Sequence, residues 1–398
     1  MSDTRKHTKP NVPNLRFLGF EGEWKESSLG DQFDLYSGNT PSRLNKNNFV
    51  GDINWITSGE LKAHYIGDTK EKISIETAND NNLKLLPEGT FVIAIYGLEA
   101  EGVRATGSII TKKSTISQAC MAFTQKGVIT NEFLYSWYKK HGNVIGIKYA
   151  QGTKQQNLSY DIIERLTIHH PSLEEQEKLN SFIELLDTRI STQIKVIEDL
   201  EILRNFARDV FFDKNTPNCR LGDIIAQVSE RNKGNKIKNI LSVSNKNGFI
   251  NQSEQFEDRI IASDDTKNYK VVSFNEFAYN PARINVGSIA RLSTCEKGIV
   301  SPMYICFRTG CGVNPEYLEE YLDTRFFFNE MEKRLEGSVR QCLSFDSLCS
   351  IPFFLPTYEE QTEASIRLKS LNDKISIEKR FLDTLYKQKR YFLEHLFI

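Results

Sequence analysis

The amino-acid sequence predicts an α+β chain: two strand-rich mixed α/β domains joined by two long antiparallel coiled-coil helices, with a pseudo-two-fold internal repeat. Three observations predict it. Residues 152–212 align without a gap onto residues 337–397, every residue shifted by 185. In each copy a Pro marks the change from short apolar runs, broken by Gly, Asn and Thr, to about 40 residues free of Pro and Gly. Along both of those stretches the apolar residues alternate in steps of three and four, the spacing of a coiled-coil seam.

The repeat defines the order of elements. Its identical pairs include Gly152/Gly337, Gln156/Gln341, Leu158/Leu343, Ser159/Ser344, Asp161/Asp346, Pro171/Pro356 and Phe212/Phe397, and its densest block reads PSLEEQ once and PTYEEQ once. Upstream the match loosens: Leu29-Gly30-Asp31 resembles Leu221-Gly222-Asp223, and Gly107-Ser108-Ile109 resembles Gly287-Ser288-Ile289. The chain therefore divides into a strand-rich domain (1–170), a helix (171–213), a second strand-rich domain (214–356) and a second helix (357–398). Runs such as Thr90 to Tyr96, Ile299-Val300 and Met303 to Phe307, bounded by Gly, Pro and Asn, are predicted strands.

Both helices have the same predicted start. Ser172-Leu-Glu-Glu175 and Thr357-Tyr-Glu-Glu360 are capping boxes, in which a hydroxyl accepts from the amide three residues on and the Glu reaches back. The first seam runs Leu179, Ile183, Leu186, Ile190, Ile197, Leu200, Ala207 and Phe211, interrupted by Gln193 and Arg204. The second runs Ala364, Leu368, Leu371, Ile375, Leu382, Leu385, Phe392 and Leu396. Forty helical residues make a rod about 60 Å long. A rod with one apolar stripe needs a partner: the two pair with each other, or each packs on its own globular half.

Composition excludes several classes. With 39% apolar and 26% charged residues and a net charge of -1, the chain is globular, neither disordered nor collagen-like. Seven Cys with no CxxC pair and a polar N-terminal stretch predict neither a disulfide framework nor a secretory signal, so the expected location is the cytoplasm. No apolar run approaches the roughly 18 residues of a membrane span. Charge counted by segment is +2 for 1–170, -5 for 171–213, +1 for 214–356 and +1 for 357–398. The nearly neutral domains leave nucleic-acid binding open.

Catalytic signatures are mostly missing. The chain has no GxxxxGK[ST] phosphate loop. Asn280-Pro281-Ala282-Arg283 departs from the Asn/Asp-Pro-Pro-aromatic motif of an adenine methyltransferase and has no Gly-rich cofactor loop ahead of it. Asp52 with Glu60-Leu61-Lys62 mimics the Asp…Glu-x-Lys pattern that holds Mg²⁺ and a water, and stands as the alternative reading, a Mg-dependent nuclease. Cys306-x4-Cys311 and Cys342-x6-Cys349 lack His partners, so no metal site is predicted, and His169-His170 ends a strand.

Two differing strand-rich domains, each followed by a long helix introduced by P-[ST]-x-E-E-Q, resemble the specificity subunit of Type I restriction-modification systems. Supporting elements are Leu15-Arg16-Phe17…Trp24…Leu29-Gly30-Asp31, Trp55-Ile-Thr-Ser-Gly-Glu60-Leu61 and the Gly-[Thr/Ser]-x4-Leu-Ser-x-Asp signature at 152–161 and 337–346. The resemblance covers essentially the full chain. It implies that the strand-rich domains are target-recognition domains, each reading one half of a bipartite gapped site in double-stranded DNA. It implies further that the chain is not an enzyme and binds no cofactor itself. Two modification subunits, with S-adenosylmethionine, would methylate adenine N6, and two restriction subunits would use ATP and Mg. In that family the paired helices dock the modification subunits, and the acidic first helix, with Lys379, Arg380, Lys387, Lys389 and Arg390 on the second, could serve for docking or be an ordinary solvated face.

Base reading needs Arg or Lys for guanine and Asn or Gln for adenine. Lys148 to Asn157 concentrates those types beside Gly152, so Lys148, Gln151, Thr153, Lys154, Gln155 and Gln156 are the first candidates, with Arg340 and Gln341 as their counterparts. A second group is Tyr96, Arg104, Asn280, Arg283, Asn285 and Arg291; a third is Arg43, Lys62, Asn245 and Lys246. Gly152, Leu158 and Leu343 are expected to be structural.

Overall fold

The computed structural model describes residues 11–99, 102–152, 156–213, 216–245, 248–251, 266–337 and 341–398. Its residues form two units: 1–194 with 380–398, and 195–379.

The first unit begins with β1 (Lys25–Ser28), the one-turn α1 (Leu29–Gln32) and β2 (Phe33–Ser37). There follow β3 (Ile53–Ile56), β4 (Tyr65–Ile66), β5 (Lys72–Ile73), α2 (Ile75–Asp80), β6 (Phe91–Ala94), β7 (Gly107–Ile110), β8 (Ser114–Ile116) and β9 (Cys120–Gln125). Then come α3 (Asn131–Tyr149), α4 (Tyr160–Glu164), β10 (Thr167–His170) and the long α5 (Leu173–Phe212), of which residues up to 194 belong here. One sheet has the order β2-β9-β6-β7-β4, a second β5-β3-β8, and β1 pairs with β10. Every residue of β6 is buried, which suits a central strand written as an unbroken apolar run. α3 starts where the Thr130 hydroxyl accepts from Phe133 N–H, and Phe133 to Tyr138 are all buried, so the first half of this helix is covered on every side.

The second unit repeats this plan. It contains β11 (Cys219–Arg220), α6 (Leu221–Ile224), β12 (Ile225–Val228), β13 (Leu241–Ser244), β14 (Gly248–Asn251), β15 (Lys270–Ser273), β16 (Phe277–Tyr279), β17 (Ile289–Arg291), β18 (Lys297–Val300) and β19 (Ile305–Thr309). It continues with α7 (Pro315–Leu322), α8 (Arg325–Glu332), α9 (Phe345–Cys349), β20 (Pro352–Phe353) and α10 (Tyr358–Leu396), whose residues from 380 belong to the first unit. Its main sheet, β12-β19-β16-β17, has the strand order of β2-β9-β6-β7, and β11–β20 corresponds to β1–β10. The predicted strands at 90–96 and 299–307 appear as β6, β18 and β19.

The LGD repeat has a packing reason. A Cβ on Gly30 would lie 2.4 Å from Glu164 Cγ in α4, and one on Gly222 would lie 2.9 Å from Cys349 Cβ in α9. Each one-turn helix is thus pressed onto the helix of the LSxD signature. Leu158 and Leu343, just ahead of those helices, are fully buried, as expected.

The long helices meet. Within the first unit Phe182 packs edge-on against Phe392 at 4.9 Å, Asp187 bonds Lys389, and Arg189 lies 5.4 Å from the Phe381 ring. Within the second, Glu201 pairs with Lys379 at 2.6 Å. Numbers rise along α5 as they fall along α10, so the pairing is antiparallel. The long helices also pack on the globular parts: seam residues Leu179, Ile183 and Leu396, with the adjacent Leu393 and Phe397, share one apolar cluster with Trp24 and Phe133, and Ala364 and Leu368, with Phe212, share another with Tyr317 and Phe353. The two alternatives of the sequence are therefore both realised, since a stripe about 100° wide is broad enough to face two neighbours.

The caps differ in detail. Thr357 and Glu360 form the full box, with Thr357 N–H donating to Glu360 at 2.9 Å and Glu360 N–H to the Thr357 hydroxyl at 3.3 Å. At α5 only the hydroxyl half matches, Glu175 N–H donating to Ser172 at 3.4 Å, because the Glu175 carboxylate is held bidentately by Arg16 at 2.8 and 2.7 Å. A buried carboxylate is served better by a guanidinium fork than by one amide.

Candidate nucleic-acid interface

The two units carry equivalent hairpins after α3 and after α8. In the first, Gln151 and Asn157 exchange backbone bonds of 2.9 Å, and Gly152 sits at φ 117°, a conformation that favours glycine. In the second, Glu336 and Cys342 exchange bonds of 2.9 and 2.8 Å, with Gly337 at φ 104°. Thr153, Lys154, Gln155 and Arg340 lie outside the described residues, as does Lys246.

In the first unit this hairpin gathers most of the candidates. Asn157 also bridges to Tyr96, and Leu98 N–H donates to Gln156 O at 3.0 Å. Arg104 donates to the Gln156 side chain at 3.1 Å, and its stem crosses α3 where a Cβ on Gly146 would lie 3.0 Å away. Gln156 N–H donates to Glu99 at 2.7 Å, a bond that holds the Glu99 carboxyl below its usual range. Lys148, exposed on the last turn of α3, has its ammonium 4.8 Å from the Tyr149 ring. Tyr96, Arg104, Lys148, Gln151 and Gln156 thus share one surface.

Arg43 and Lys62 belong to a different part of that unit. The Arg43 guanidinium is bidentate to Glu71 at 2.9 and 3.0 Å and lies over Phe49 and Trp55, so its charge is already matched. Lys62 is exposed beyond a one-turn helix. The neighbouring Glu60 closes that turn: one oxygen accepts from Thr57 N–H at 2.9 Å and its hydroxyl at 2.8 Å, the other from Lys70 N–H at 2.8 Å. Both oxygens are thereby occupied with capping, and nothing supports the nuclease reading. Among the described residues no group of His, Cys, Asp and Glu could hold a metal ion.

In the second unit Leu343 N–H donates to Pro281 O at 3.1 Å, which sets the Asn280 turn beside the hairpin that carries exposed Gln341. Asn280 itself is buried and accepts from Ala282 N–H at 3.1 Å, a turn-closing bond. Arg283 and Asn285 are exposed on the following turn, and Asn245 abuts its Gly287, where a Cβ would lie 3.7 Å from Asn245 O. Arg291 points elsewhere. Its guanidinium is largely buried and bonded to Glu319 at 2.9 and 2.8 Å and to Asn275 at 2.6 Å.

Sequence reasoning passed over His64, whose ring nitrogens lie 2.9 Å from Asp187 and 2.8 Å from Glu132. A lone His whose partners stand 123 and 68 residues away leaves no local signal. It placed Lys379 and Lys389 on an outer face; both pair with carboxylates of α5, Lys379 while remaining exposed and Lys389 with its side chain only 14% exposed.

Comparison with known proteins gives a consistent likeness. Residues 21–201 match the Type I restriction modification DNA specificity domain. The MjaVIII specificity subunit of Methanocaldococcus jannaschii is 21% identical over 96% of this chain and 94% of its own length. The MjaIX specificity subunit of the same organism is 25% identical over 48% of this chain, which spans only 43% of that relative. Among solved structures, the S subunit of a Type I restriction-modification system from M. genitalium superposes with a TM-score of 0.61 at 16% identity, covering 97% of this chain and 99% of the other.

Proposed function

We propose that the chain belongs to the specificity subunits of Type I restriction-modification systems, which its likenesses support, and that it is the noncatalytic DNA-recognition component of such a complex. Each unit reads one half of a bipartite, gapped target, and partner subunits methylate adenine N6 or cleave.

The observation that carries this reading is the duplicated hairpin. Both copies use the same backbone closure and the same positive-φ Gly and share Lys148/Lys333 and Gln156/Gln341, yet they differ at the closing pair, Gln151 and Asn157 in one and Glu336 and Cys342 in the other. One scaffold with two side-chain sets suits an asymmetric target. Asn, Gln, Arg and Lys can recognise base edges, while backbone amides and hydroxyls position phosphates. The absence of a phosphate-loop motif from the sequence suits a chain whose partners supply ATP and S-adenosylmethionine chemistry. Exposed apolar residues on the long helices, among them Leu185, Ile202, Phe206, Ile366 and Tyr391, offer a surface for those partners.

Sequencing the host methylome with and without the gene tests it. Loss of the chain should erase one gapped adenine motif, and an unchanged methylome in a host whose partner subunits are expressed would overturn the reading.

A further inference from the structure

The first unit holds a buried charge cluster that the DNA-reading surface does not use. His64, next to β4, is only 7% exposed in its side chain. Its Nδ1 lies 2.9 Å from Asp187 on α5, and its Nε2 lies 2.8 Å from Glu132 on α3. Neutral imidazole has one N–H, so one of these contacts would set a bare nitrogen against a carboxylate; only the doubly protonated ring satisfies both. The ring is also sandwiched, parallel to Tyr65 at 4.2 Å and to Tyr135 at 3.8 Å, where π-faces favour a cation.

The other charged and titratable groups around it are accounted for. Asp187 also bonds Lys389 on α10, and Glu132 accepts from the Tyr65 hydroxyl at 3.1 Å. Lys139 on α3 lies 5.1 Å from the Tyr135 ring and donates to Ala105 O at 3.1 Å, while Glu184 on α5 acts on Tyr65. Burial and the nearby Lys389 lower Lys139 to about 8, so it still carries most of its positive charge at pH 7. Burial opposes the His64 charge as well, but the bonds to Asp187 and Glu132 outweigh it and the pKa rises above 6.5. Burial likewise works against the Asp187 charge, and His64 and Lys389 overcome it, lowering its pKa below 3.8.

The second unit solves the same problem without a histidine. There Glu319 on α7 binds Arg291, and Glu320 binds Arg208 of α5 at 3.0 and 2.7 Å and Asn372 of α10 at 2.8 Å. Guanidinium stays protonated across the accessible pH range, and although burial raises the Glu319 pKa above 4.5, that titration lies on the acid side and does not loosen the pair as pH rises.

We infer that His64, held as an imidazolium between Glu132 and Asp187, is the positioning residue that fixes the first recognition domain onto its segments of the long helices, giving the first unit alone a titratable attachment. The sign follows from the shift. A base whose folded pKa is raised contributes fully below its unfolded value of about 6.5 and loses that contribution as pH rises through the folded pKa. The consequence for DNA rests on the proposed function: reading of the half-site assigned to the first unit weakens as pH rises, and reading of the other half does not.

The full-length chain, labelled with ¹³C at histidine Cε1, tests the attachment without DNA. Of its six histidines, one resonance, missing in His64→Gln, should titrate above 6.5, and Asp187→Asn, which keeps the ring, should lower that midpoint. Hydrogen exchange, corrected for its intrinsic pH dependence, should show residues 131–139 and 183–190 losing protection as His64 deprotonates, with residues 289–291 and 315–322 unchanged. A midpoint at or below 6.5, a midpoint indifferent to Asp187→Asn, or equal loss of protection in both units would overturn the inference. If these results hold and the chain with its modification subunits binds no gapped duplex, the DNA reading alone fails.

Discussion

The buried side-chain amide of Gln176 accepts from Thr130 N–H at 3.0 Å, and Gln361, 185 residues later, accepts from Asn314 N–H at 2.8 Å. Thr130 and Asn314 are the N-caps of α3 and α7. Each Gln also donates to two earlier carbonyls: Gln176 to Val128 O and Pro171 O, both at 3.2 Å, and Gln361 to Gly312 O at 3.1 Å and Pro356 O at 3.0 Å. The Q of each EEQ block therefore ties the start of a long helix to the cap of the domain helix beside it.

Removing that amide leaves a cap N–H and two carbonyls without their partner. Gln176→Ala and Gln361→Ala should each cost about 1–3 kcal/mol, the penalty of an unsatisfied buried group. Gln→Glu at either site should cost at least as much, since a carboxylate cannot donate to two carbonyls. Denaturant unfolding of the full chain measures both; a change under about 0.5 kcal/mol for all four variants would contradict the assignment.

Arg16 and Glu175 form a nearly buried pair at 2.7 Å, with side chains 15% and 3% exposed. Arg16→Met strands the Glu175 carboxylate and should destabilise by about 3–5 kcal/mol, whereas adding Glu175→Gln should recover part of the loss. A double-mutant cycle read by thermal unfolding gives the coupling. Additive losses would show that the pair does not interact.

The shared surface around the first hairpin predicts two kinds of defect. Lys148→Ala should weaken binding by about tenfold regardless of sequence and reduce the salt slope by about one, as expected for a phosphate contact. Gln156→Ala should instead relax discrimination at one base of a single half-site, leaving the other half unaffected. Fluorescence anisotropy with targets altered in either half separates them, and a uniform loss in both variants would remove Gln156 from base reading.

Thiol reactivity should sort by burial. All seven cysteines are free, and burial pushes Cys120 and Cys306 up to about 12. Both should stay neutral and resist iodoacetamide at pH 8, while exposed Cys311 reacts. Mass spectrometry of the native chain checks this; labelling of Cys120 or Cys306 at the rate of Cys311 would show that their sites open.

The sequence by itself determined the duplication, the positions of the helix starts and the register of both seams, from Leu179 and Ile183 to Leu368 and Leu385, all of which are buried. These features are local. A cap is written within four residues and a seam in steps of three and four, so spacing alone encodes them. It also singled out the polar stretch beside Gly152, but not the closure by Gln151 and Asn157 that makes it a hairpin.

What only the tertiary structure decided is which partner each polar side chain takes. Arg291 and Arg43 looked like free base-reading groups and instead hold Glu319 and Glu71, while His64 looked like nothing and joins Glu132 to Asp187. Electrostatic pairing depends on distance in space, and the distances that matter here are set when β4, α3, α5 and α10 pack together, across separations that no window of sequence contains.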